Sequence, residues 1–274
     1  MWGGMTFEFI LSRSVRDTAA MLDAVHGPMP GDPYGILPPD HPYANDVGRD
    51  PGSLRIGLLS HYADIEVHPD CVGAVASAGR LLESLGHRVE ASYPKEIANS
   101  DLNPHTVAVI ACSQARGVED FGQLIGRKLG PDDMDCDNWA LTEMGQQVSG
   151  TQYLAAMQAH QDFRRSVAAW WTDGFDLLIT PTISAPPPKL GEMVPDPATP
   201  LAAFIRSGAL LPFTVPFNIT GQPAVSLPLH WNDAKLPIGV QLIAAMGRED
   251  LLIRVASQLE QEVGWSKRRP PIYA

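Results

Sequence analysis

The sequence predicts an α/β protein whose mixed β-sheet core is covered by helices. The apolar run at residues 54–59 has the form of a buried strand, a helix can begin at Pro69, and an extended segment starts at Arg88. This strand–helix–strand order favours a parallel pair of strands. Two further strand-like segments, 224–229 and 238–244, flank a polar turn, which predicts an antiparallel hairpin. Both kinds of strand pairing are therefore expected in one sheet.

The remaining elements follow from helical periodicity and from turn residues. A first helix begins at Ser14, which occupies the position of a capping residue. Residues 28–53 are rich in Pro, Gly and Asp and are predicted to form a surface loop or linker. Residues 101–173 read as a mostly helical region, 175–180 as a buried strand, and 249–263 as the last helix.

Composition narrows the class of protein. The chain has 274 residues, of which 45% are hydrophobic, so it can bury a sizeable core. Its formal net charge of −11 argues against a nucleic-acid partner and against an anionic membrane surface. No apolar run is long enough to cross a bilayer, and the N-terminus lacks the pattern of a secretory signal. The three cysteines form no CxxC motif, which suits a reducing compartment and predicts a cytoplasmic location.

Six short blocks occur in an order that unrelated folds have no reason to share. They are LSRSVRD at 11–17, LRIG at 54–57, DLLITPT at 176–182, PFNITGQPAVSLPL at 216–229, PIGVQL at 237–242 and GRED at 247–250. In this order they resemble the amidase signature family, serine hydrolases that cleave carboxamides. Within that family the sequence looks closest to bacterial amidases resembling the cyclic-amide and nylon-oligomer hydrolases.

The resemblance implies the C-terminal part of the amidase signature fold, incomplete relative to the family, as a single partial domain over residues 1–274. Full-length relatives hydrolyse carboxamide C–N bonds through an acyl-enzyme, with a nucleophilic Ser that a bridging Ser and a Lys activate, and without cofactor or metal. The family's Gly/Ser-rich loop, whose N–H groups face the oxyanion, has no counterpart in this sequence. We therefore expect a chain that starts downstream of the nucleophile, contains no catalytic residue of its own and is inactive alone.

Two functions are open at this point. In the first, the chain is an amidase polypeptide that takes a small-molecule amide substrate once the missing N-terminal half completes it. In the second, it is a truncated or degenerate fragment without catalysis that acts, if at all, by binding a partner. Because loss of half of a shared sheet exposes apolar edges and helix faces, the isolated chain is expected to aggregate or to form a homo-oligomer.

A set of residues is predicted to contact the substrate pocket, by resemblance to the family. The family's Pro-Thr strand end and its Asn-x-Thr-Gly segment lie near the cleft, and its variable helical region shapes specificity. The matching residues are Cys112, Thr180, Thr182, Asn218, Thr220 and Gly221. A structural role, with polar side chains that cap strand ends and turns, is the alternative for the threonines and Asn218. Gly221 permits a tight backbone turn.

No catalytic or metal-binding residue is predicted within the chain. Cys112 is either a small core side chain, the more common case, or a nucleophile paired with His105 or His160. His61 and His68 flank an acidic loop, but their spacing matches no catalytic metal motif. None of the lysines follows an apolar strand as a buried general base would, and all are expected on the surface: Lys95, Lys128, Lys189, Lys235 and Lys267.

Overall fold

The part of the chain that the structure describes is built around a five-stranded sheet. The structure is a computed structural model that describes residues 2–32, 35–36, 38–99 and 102–269; predictions that touch the other residues lie partly outside it. The strands are β1 (Arg55–Leu58), β2 (Arg88–Glu90), β3 (Leu177–Pro181), β4 (Ala224–Trp231) and β5 (Pro237–Ala244). Their order across the sheet is β2-β1-β3-β5-β4.

Helices precede, separate and follow these strands, except that β4 leads directly into β5. They are α1 (Val15–Val25), α2 (Pro69–Ser84), α3 (Glu96–Asn99), α4 (Asn103–Ile125), α5 (Cys136–Gln147), α6 (Gly150–Thr172), α7 (Ala202–Leu210), α8 (Val215–Thr220) and α9 (Glu249–Val263). Among the described residues, no helix combines the length and the apolar character needed to cross a membrane.

Strand pairing is mixed, as the sequence predicts. β1 pairs in parallel with β2 and with β3, and β5 pairs antiparallel with β3 and with β4. The predicted strand–helix–strand unit and the predicted hairpin are both confirmed. The register places Thr180 and Ser226 on either side of Gln241, so three polar residues form one row across three strands.

Two apolar layers bury the two faces of the sheet. Leu177 and Ile179 of β3 point into the layer formed with α1, α2 and α9, whereas Leu178 points into the layer formed with α4, α6 and α8. Successive side chains of a strand point to opposite faces, so β3 is buried along its whole length. This explains why residues 177–179 are consecutively apolar rather than alternating with polar residues.

β4 is covered on one face only. Leu227 is buried in the layer of α1, α2 and α9, while Ala224 and Ser226, which point the other way, are exposed. In the described residues β4 pairs with β5 and with no other strand, so it is an edge of the sheet. The sheet therefore has an open face at β4, opposite a fully covered one.

The helix ends follow capping chemistry that the sequence shows. The Ser14 hydroxyl accepts a hydrogen bond from the Asp17 N–H at 3.2 Å and caps α1. Ser149 and Gln152 form a reciprocal capping box at the start of α6. The last helix, α9, has the bounds that the periodicity predicts.

Two segments differ from the sequence-based expectations. The helical region of residues 101–173 contains a separate helix, α5, that begins after the capping residue Asp135. The predicted surface loop of residues 28–53 contains a 3₁₀ turn at Tyr43–Asp46, in which Asp46 is buried. Arg254 of α9 donates to the Asp46 carboxylate at 2.8 Å, and this buried ion pair anchors the loop to the core.

Gly145 allows α4 and α5 to approach closely. A Cβ atom at this position would lie 2.0 Å from the Ala111 carbonyl oxygen, which is backbone and cannot move aside. We expect Gly145→Ala to lower the free energy of unfolding by about 3 kcal/mol, measured by denaturant unfolding.

The matched control is Gly117→Ala on the exposed side of α4. A Cβ atom at Gly117 meets nothing within 4 Å. The control should raise stability by up to ~1 kcal/mol because alanine favours the helix. Equal effects of the two substitutions would contradict the assignment of Gly145 as a close-packing position.

Candidate functional site

The open face of the sheet carries a row of polar side chains. Gln241 is buried, and its Nε2 donates to the Thr180 hydroxyl at 3.1 Å and to the Phe213 carbonyl at 2.8 Å. One pleat further along, the hydroxyls of Thr182 and Ser226 lie 2.6 Å apart, a hydrogen bond between β3 and β4 that spans β5. We call these four residues, Thr180, Thr182, Ser226 and Gln241, the polar floor. The strand residues that face α1, α2 and α9 on the other side of the sheet are apolar.

Gly239 makes the contact between the two hydroxyls possible. It lies on β5 between Thr182 and Ser226, and a Cβ atom there would be 2.7 Å from the Thr182 hydroxyl and 2.8 Å from that of Ser226. Glycine in a strand interior is unfavourable unless another group must approach the backbone. Here the approaching groups are the two hydroxyls.

A cavity of about 170 Å³ opens beside this hydroxyl pair. Cys71 of α2 contributes a thiol, and the remaining lining comes from the strand ends and the Pro-rich loop: Thr182, Ile183, Ala185, Pro186, Pro187, Ser226, Pro237, Ile238 and Gly239. Burial raises the pKa of the Cys71 thiol to about 11, so at neutral pH it is a protonated, uncharged side chain. The cavity thus combines apolar walls with neutral hydrogen-bonding groups.

The predicted pocket residues on α8 have different environments. Asn218 is exposed, and Thr220 is buried with its hydroxyl 2.8 Å from the Gln222 amide oxygen. Gly221 has φ of 77° and ends α8 in the left-handed conformation, as the predicted turn requires. Among the described contacts, the Thr220 hydroxyl forms hydrogen bonds only within its own segment.

Cys112 lies on α4, and its described hydrogen-bond contact is to α5 rather than to the polar floor. Its Sγ is 3.9 Å from the Gly145 carbonyl of α5, and burial raises the pKa of its thiol. A thiol that stays protonated is a poor nucleophile. The structure therefore distributes the six predicted residues over α4, the C-terminal end of β3 and the C-terminal end of α8, and a different cysteine, Cys71, lines the cavity with Thr182.

His160 does not serve as a base for Cys112 in this arrangement. It is fully buried, and the hydrogen bond of its Nε2 is to the Thr106 hydroxyl at 3.3 Å. Burial lowers the pKa of His160 to about 4, with smaller contributions from Arg164 and His105. The imidazole is neutral at physiological pH, and its Nδ1 has no partner among the described residues.

No lysine of the described chain has the buried setting of a general base. All the lysines are exposed, as predicted: Lys95, Lys128, Lys189, Lys235 and Lys267. No group of three or more His, Cys, Asp or Glu side chains that could hold a metal ion occurs within the described residues.

The sequence matches the Amidase family over residues 6–253. The chain belongs to the amidase family. It is 40% identical over 277 residues to the 6-aminohexanoate-cyclic-dimer hydrolase of Paenarthrobacter ureafaciens, an alignment that covers 98% of this chain and 56% of that protein. The hydrolase of the same name from Pseudomonas sp. (strain NK87) is 40% identical over 276 residues, with the same coverage.

Solved structures agree with this family assignment. The structure of 6-aminohexanoate cyclic dimer hydrolase superposes with a TM-score of 0.91 at 40% identity, and the match covers 95% of this chain and 55% of that one. A bacterial aryl acylamidase shares the fold at 21% identity with a TM-score of 0.72. This amidase chain thus spans about half the length of the relatives that it matches.

The sequence analysis did not identify two residues of the polar floor, Ser226 and Gln241, or the glycine between its two hydroxyls, Gly239. Ser226, Gln241 and Gly239 all lie within the amidase blocks, yet their roles depend on strand register. A signal did exist, because a Gly and a Gln interrupt an otherwise apolar strand, and both residues are rare in such positions without a specific contact.

Replacement of Gly239 by Ala tests the hydroxyl pair. The new Cβ must separate the two hydroxyl groups, so we expect the free energy of unfolding to fall by about 2 kcal/mol. Ser226→Ala removes the same hydrogen bond without inserting an atom and should cost only about 1 kcal/mol. In the Ser226→Ala background, Gly239→Ala should cost less than in the wild type, which a double-mutant cycle by urea denaturation measures. Strictly additive costs would contradict a contact across Gly239.

The buried His160 predicts a specific dependence of stability on pH. Its folded-state pKa of about 4 lies below the ordinary value of 6.5, so the unfolded chain binds a proton first as the pH falls. The stability contribution is present above pH 6.5 and is lost between pH 6.5 and 4, by up to ~1.4 kcal/mol per pH unit. In unfolding curves across this range, His160→Gln should show a shallower slope than the wild type. The exposed His61→Gln is the matched control and should keep the wild-type slope; the same slope in all three proteins would contradict the assignment.

Proposed function

We propose that this chain forms the substrate-pocket part of an amidase that hydrolyses a carboxamide C–N bond. In this proposal the nucleophilic Ser, the bridging Ser and the Lys of the family lie in polypeptide outside these 274 residues. The 274 residues contribute the polar floor, the adjoining cavity and the helices that bound them. The reaction passes through an acyl-enzyme on the nucleophilic Ser, which water then hydrolyses.

The observation that carries the proposal is the open, polar face of the sheet at β4. Ser226 is exposed on this face although it lies beside a buried Gln241. Edge strands with one covered face and one polar, exposed face are where further polypeptide or a ligand can bind. A catalytic segment that lies against this face would bring a nucleophile next to neutral hydrogen-bonding groups.

The exposure of every lysine supports a catalytic base that lies outside these 274 residues. A Lys that accepts a proton from Ser must be neutral, and burial is what lowers the pKa of an ammonium group. Every Lys of this chain is exposed, so none has that setting. The sequence also lacks the Gly/Ser-rich loop with which the family presents its nucleophile and oxyanion donors.

The substrate class follows from the relatives and from the cavity. The relatives at 40% identity are named for a cyclic dimer of 6-aminohexanoate, which is an aliphatic cyclic amide. Apolar walls with a few neutral polar groups suit such a substrate, because methylene segments pack on Pro and Ile while hydroxyls bind the amide. We propose Thr182 and Ser226 as amide contacts and Cys112, Thr180, Asn218, Thr220 and Gly221 as further pocket or pocket-supporting residues.

The competing proposal is a protein without catalysis that binds a partner chain. It is favoured by exposed apolar side chains in the segment before α1, where Phe7, Phe9 and Leu11 are 63%, 48% and 105% exposed. The same exposure supports self-association of the isolated chain into a homo-oligomer. A reducing, cytoplasmic location remains a prediction for either function.

Covalent labelling of serine distinguishes the two proposals. The isolated 274-residue chain should show no labelling by a fluorophosphonate probe and no amine release from 6-aminohexanoate cyclic dimer. A longer polypeptide that includes an amidase Gly/Ser-rich segment and this chain should be labelled at a Ser of that segment and should hydrolyse the dimer.

Controls make each outcome decisive. Ala in place of the labelled Ser should abolish both labelling and hydrolysis. Labelling of the isolated chain at one of its own serines would overturn the proposed division of the active site. A longer polypeptide that folds but neither reacts with the probe nor hydrolyses any amide would favour partner binding instead.

A further inference from the structure

Asp137 of α5 caps a helix to which it does not belong. Its side chain is buried, and its Oδ1 accepts the Leu201 N–H at 2.8 Å while its Oδ2 accepts the Phe204 N–H at 2.9 Å. Leu201 is the N-cap position of α7 and Phe204 is its third residue. A capping box satisfies these same two N–H groups from within one helix. Here one carboxylate from another helix satisfies both.

The start of α7 depends on this carboxylate. Leu201 has no side chain that can cap, and its φ of 70° lies in the left-handed region, which is unfavourable for leucine. A negative charge at a helix N-terminus also interacts favourably with the helix dipole. Asp137 therefore compensates both for an unfavourable backbone conformation and for two N–H groups that would otherwise lack a protein acceptor.

The other end of α7 is fixed to the sheet. The Ser184 hydroxyl donates to the Ala209 carbonyl at 2.8 Å, and the Ser184 N–H donates to the Leu210 carbonyl at 3.0 Å. Immediately afterwards, the Tyr62 hydroxyl donates to the Pro212 carbonyl at 2.6 Å. The next carbonyl, that of Phe213, accepts from Gln241 of the polar floor. Four carbonyls within residues 209–213 thus accept hydrogen bonds from groups at or near the strand ends.

α7 consequently connects two parts of the structure that carry the predicted pocket residues. One part is the pair of α4 and α5, in which Cys112 contacts Gly145. The other is the sheet end with Thr180 and Thr182. Asp137 of α5 accepts hydrogen bonds from the start of α7. Gln241 of the sheet donates to the Phe213 carbonyl in the segment that follows α7.

We propose that Asp137 is a positioning residue that acts through α7 to fix the spacing between the α4–α5 pair and the polar floor. This inference rests on the proposed function, because these two parts then form opposite walls of the substrate pocket. The carboxylate touches no substrate. Its effect on catalysis comes from where α7 places residues 209–213.

Hydrogen exchange on the 274-residue chain tests the positioning directly. Asp137→Ala removes both acceptors and should raise amide exchange in the peptide that covers residues 201–213 by about tenfold or more. Asp137→Asn keeps one acceptor oxygen of the same shape and should give an intermediate rate. The matched control is Asp132→Ala, which removes an exposed carboxylate before α5 and should leave residues 201–213 at the wild-type rate.

Kinetics of the longer, active polypeptide test whether the positioning serves catalysis. Asp137→Ala should raise KM several-fold with a smaller change in kcat, and Asp137→Asn should have an intermediate effect. Asp132→Ala should leave both constants unchanged. Unchanged exchange at residues 201–213 in Asp137→Ala would overturn the inference. Increased exchange with an unchanged KM would also overturn it, because α7 would then have no effect on the pocket.

The two proposals fail in different ways. If no amide is hydrolysed even by the longer wild-type polypeptide, the proposed function fails whatever the exchange rates are. If hydrolysis occurs but exchange does not depend on Asp137, the proposed function stands and the role of Asp137 fails.

Discussion

The buried carboxamide of Gln241 is the interaction on which the geometry of the open sheet face depends. Its two Nε2 hydrogen bonds join β5 to Thr180 of β3 and to the Phe213 carbonyl before α8. A buried amide donor without a partner costs about 1–3 kcal/mol, so both contacts are strongly favoured once Gln241 is inside the protein. The side chain therefore fixes two segments that the strand pairing alone would leave independent. Phe213, which also packs edge-on against Tyr62, is buried as a result.

The two faces of β4 differ, because one is packed against helices and the other is exposed. On one face, alternate residues of the strand join the layer of α1, α2 and α9, and on the other they meet no apolar layer formed by the described residues. A sheet edge with this asymmetry is stable as part of a larger domain, since its apolar side is already buried and its polar side can accept hydrogen bonds. The relatives, of which this chain spans 56%, are consistent with that arrangement. The exposure of Ser226 follows from this open face rather than from a defect of packing.

Much of the fold could be predicted because local signals and long-range packing agree. The capping Ser14, the periodicity of α9 and the turn between β4 and β5 each determine one element from nearby residues alone. α5 was missed as a separate helix because its buried positions include Asp137, Thr142 and Gly145, which give no apolar stripe. Asp137 and Gly145 are buried because they contact α7 and α4, respectively. That information is absent from the local sequence.

The candidate site was predictable only in part, for a related reason. Thr180 and Thr182 follow from the family block that contains them, and the structure places both on the open face. Their partners, Ser226 and Gln241, are brought to them by antiparallel register, which a shift of one residue would reverse. Cys112 is predicted from a helical region linked to specificity in the family, whereas the position of Cys71 beside Thr182 is a property of the folded chain.

The same reasoning explains why a charged residue is buried in α5. α7 has nine residues, and Ala203 is its buried residue, so apolar burial contributes little to holding it in place. Isolated helices of this length are marginal in water, which means that the position of α7 must come from hydrogen bonds at its ends. A buried carboxylate is costly unless its oxygens are paired, and both oxygens of Asp137 are paired with α7. The two hydrogen bonds from Leu201 and Phe204 thus offset the cost of burying Asp137 and also hold the short α7 in place. This contact links the helices around Cys112 to the strands around Thr180.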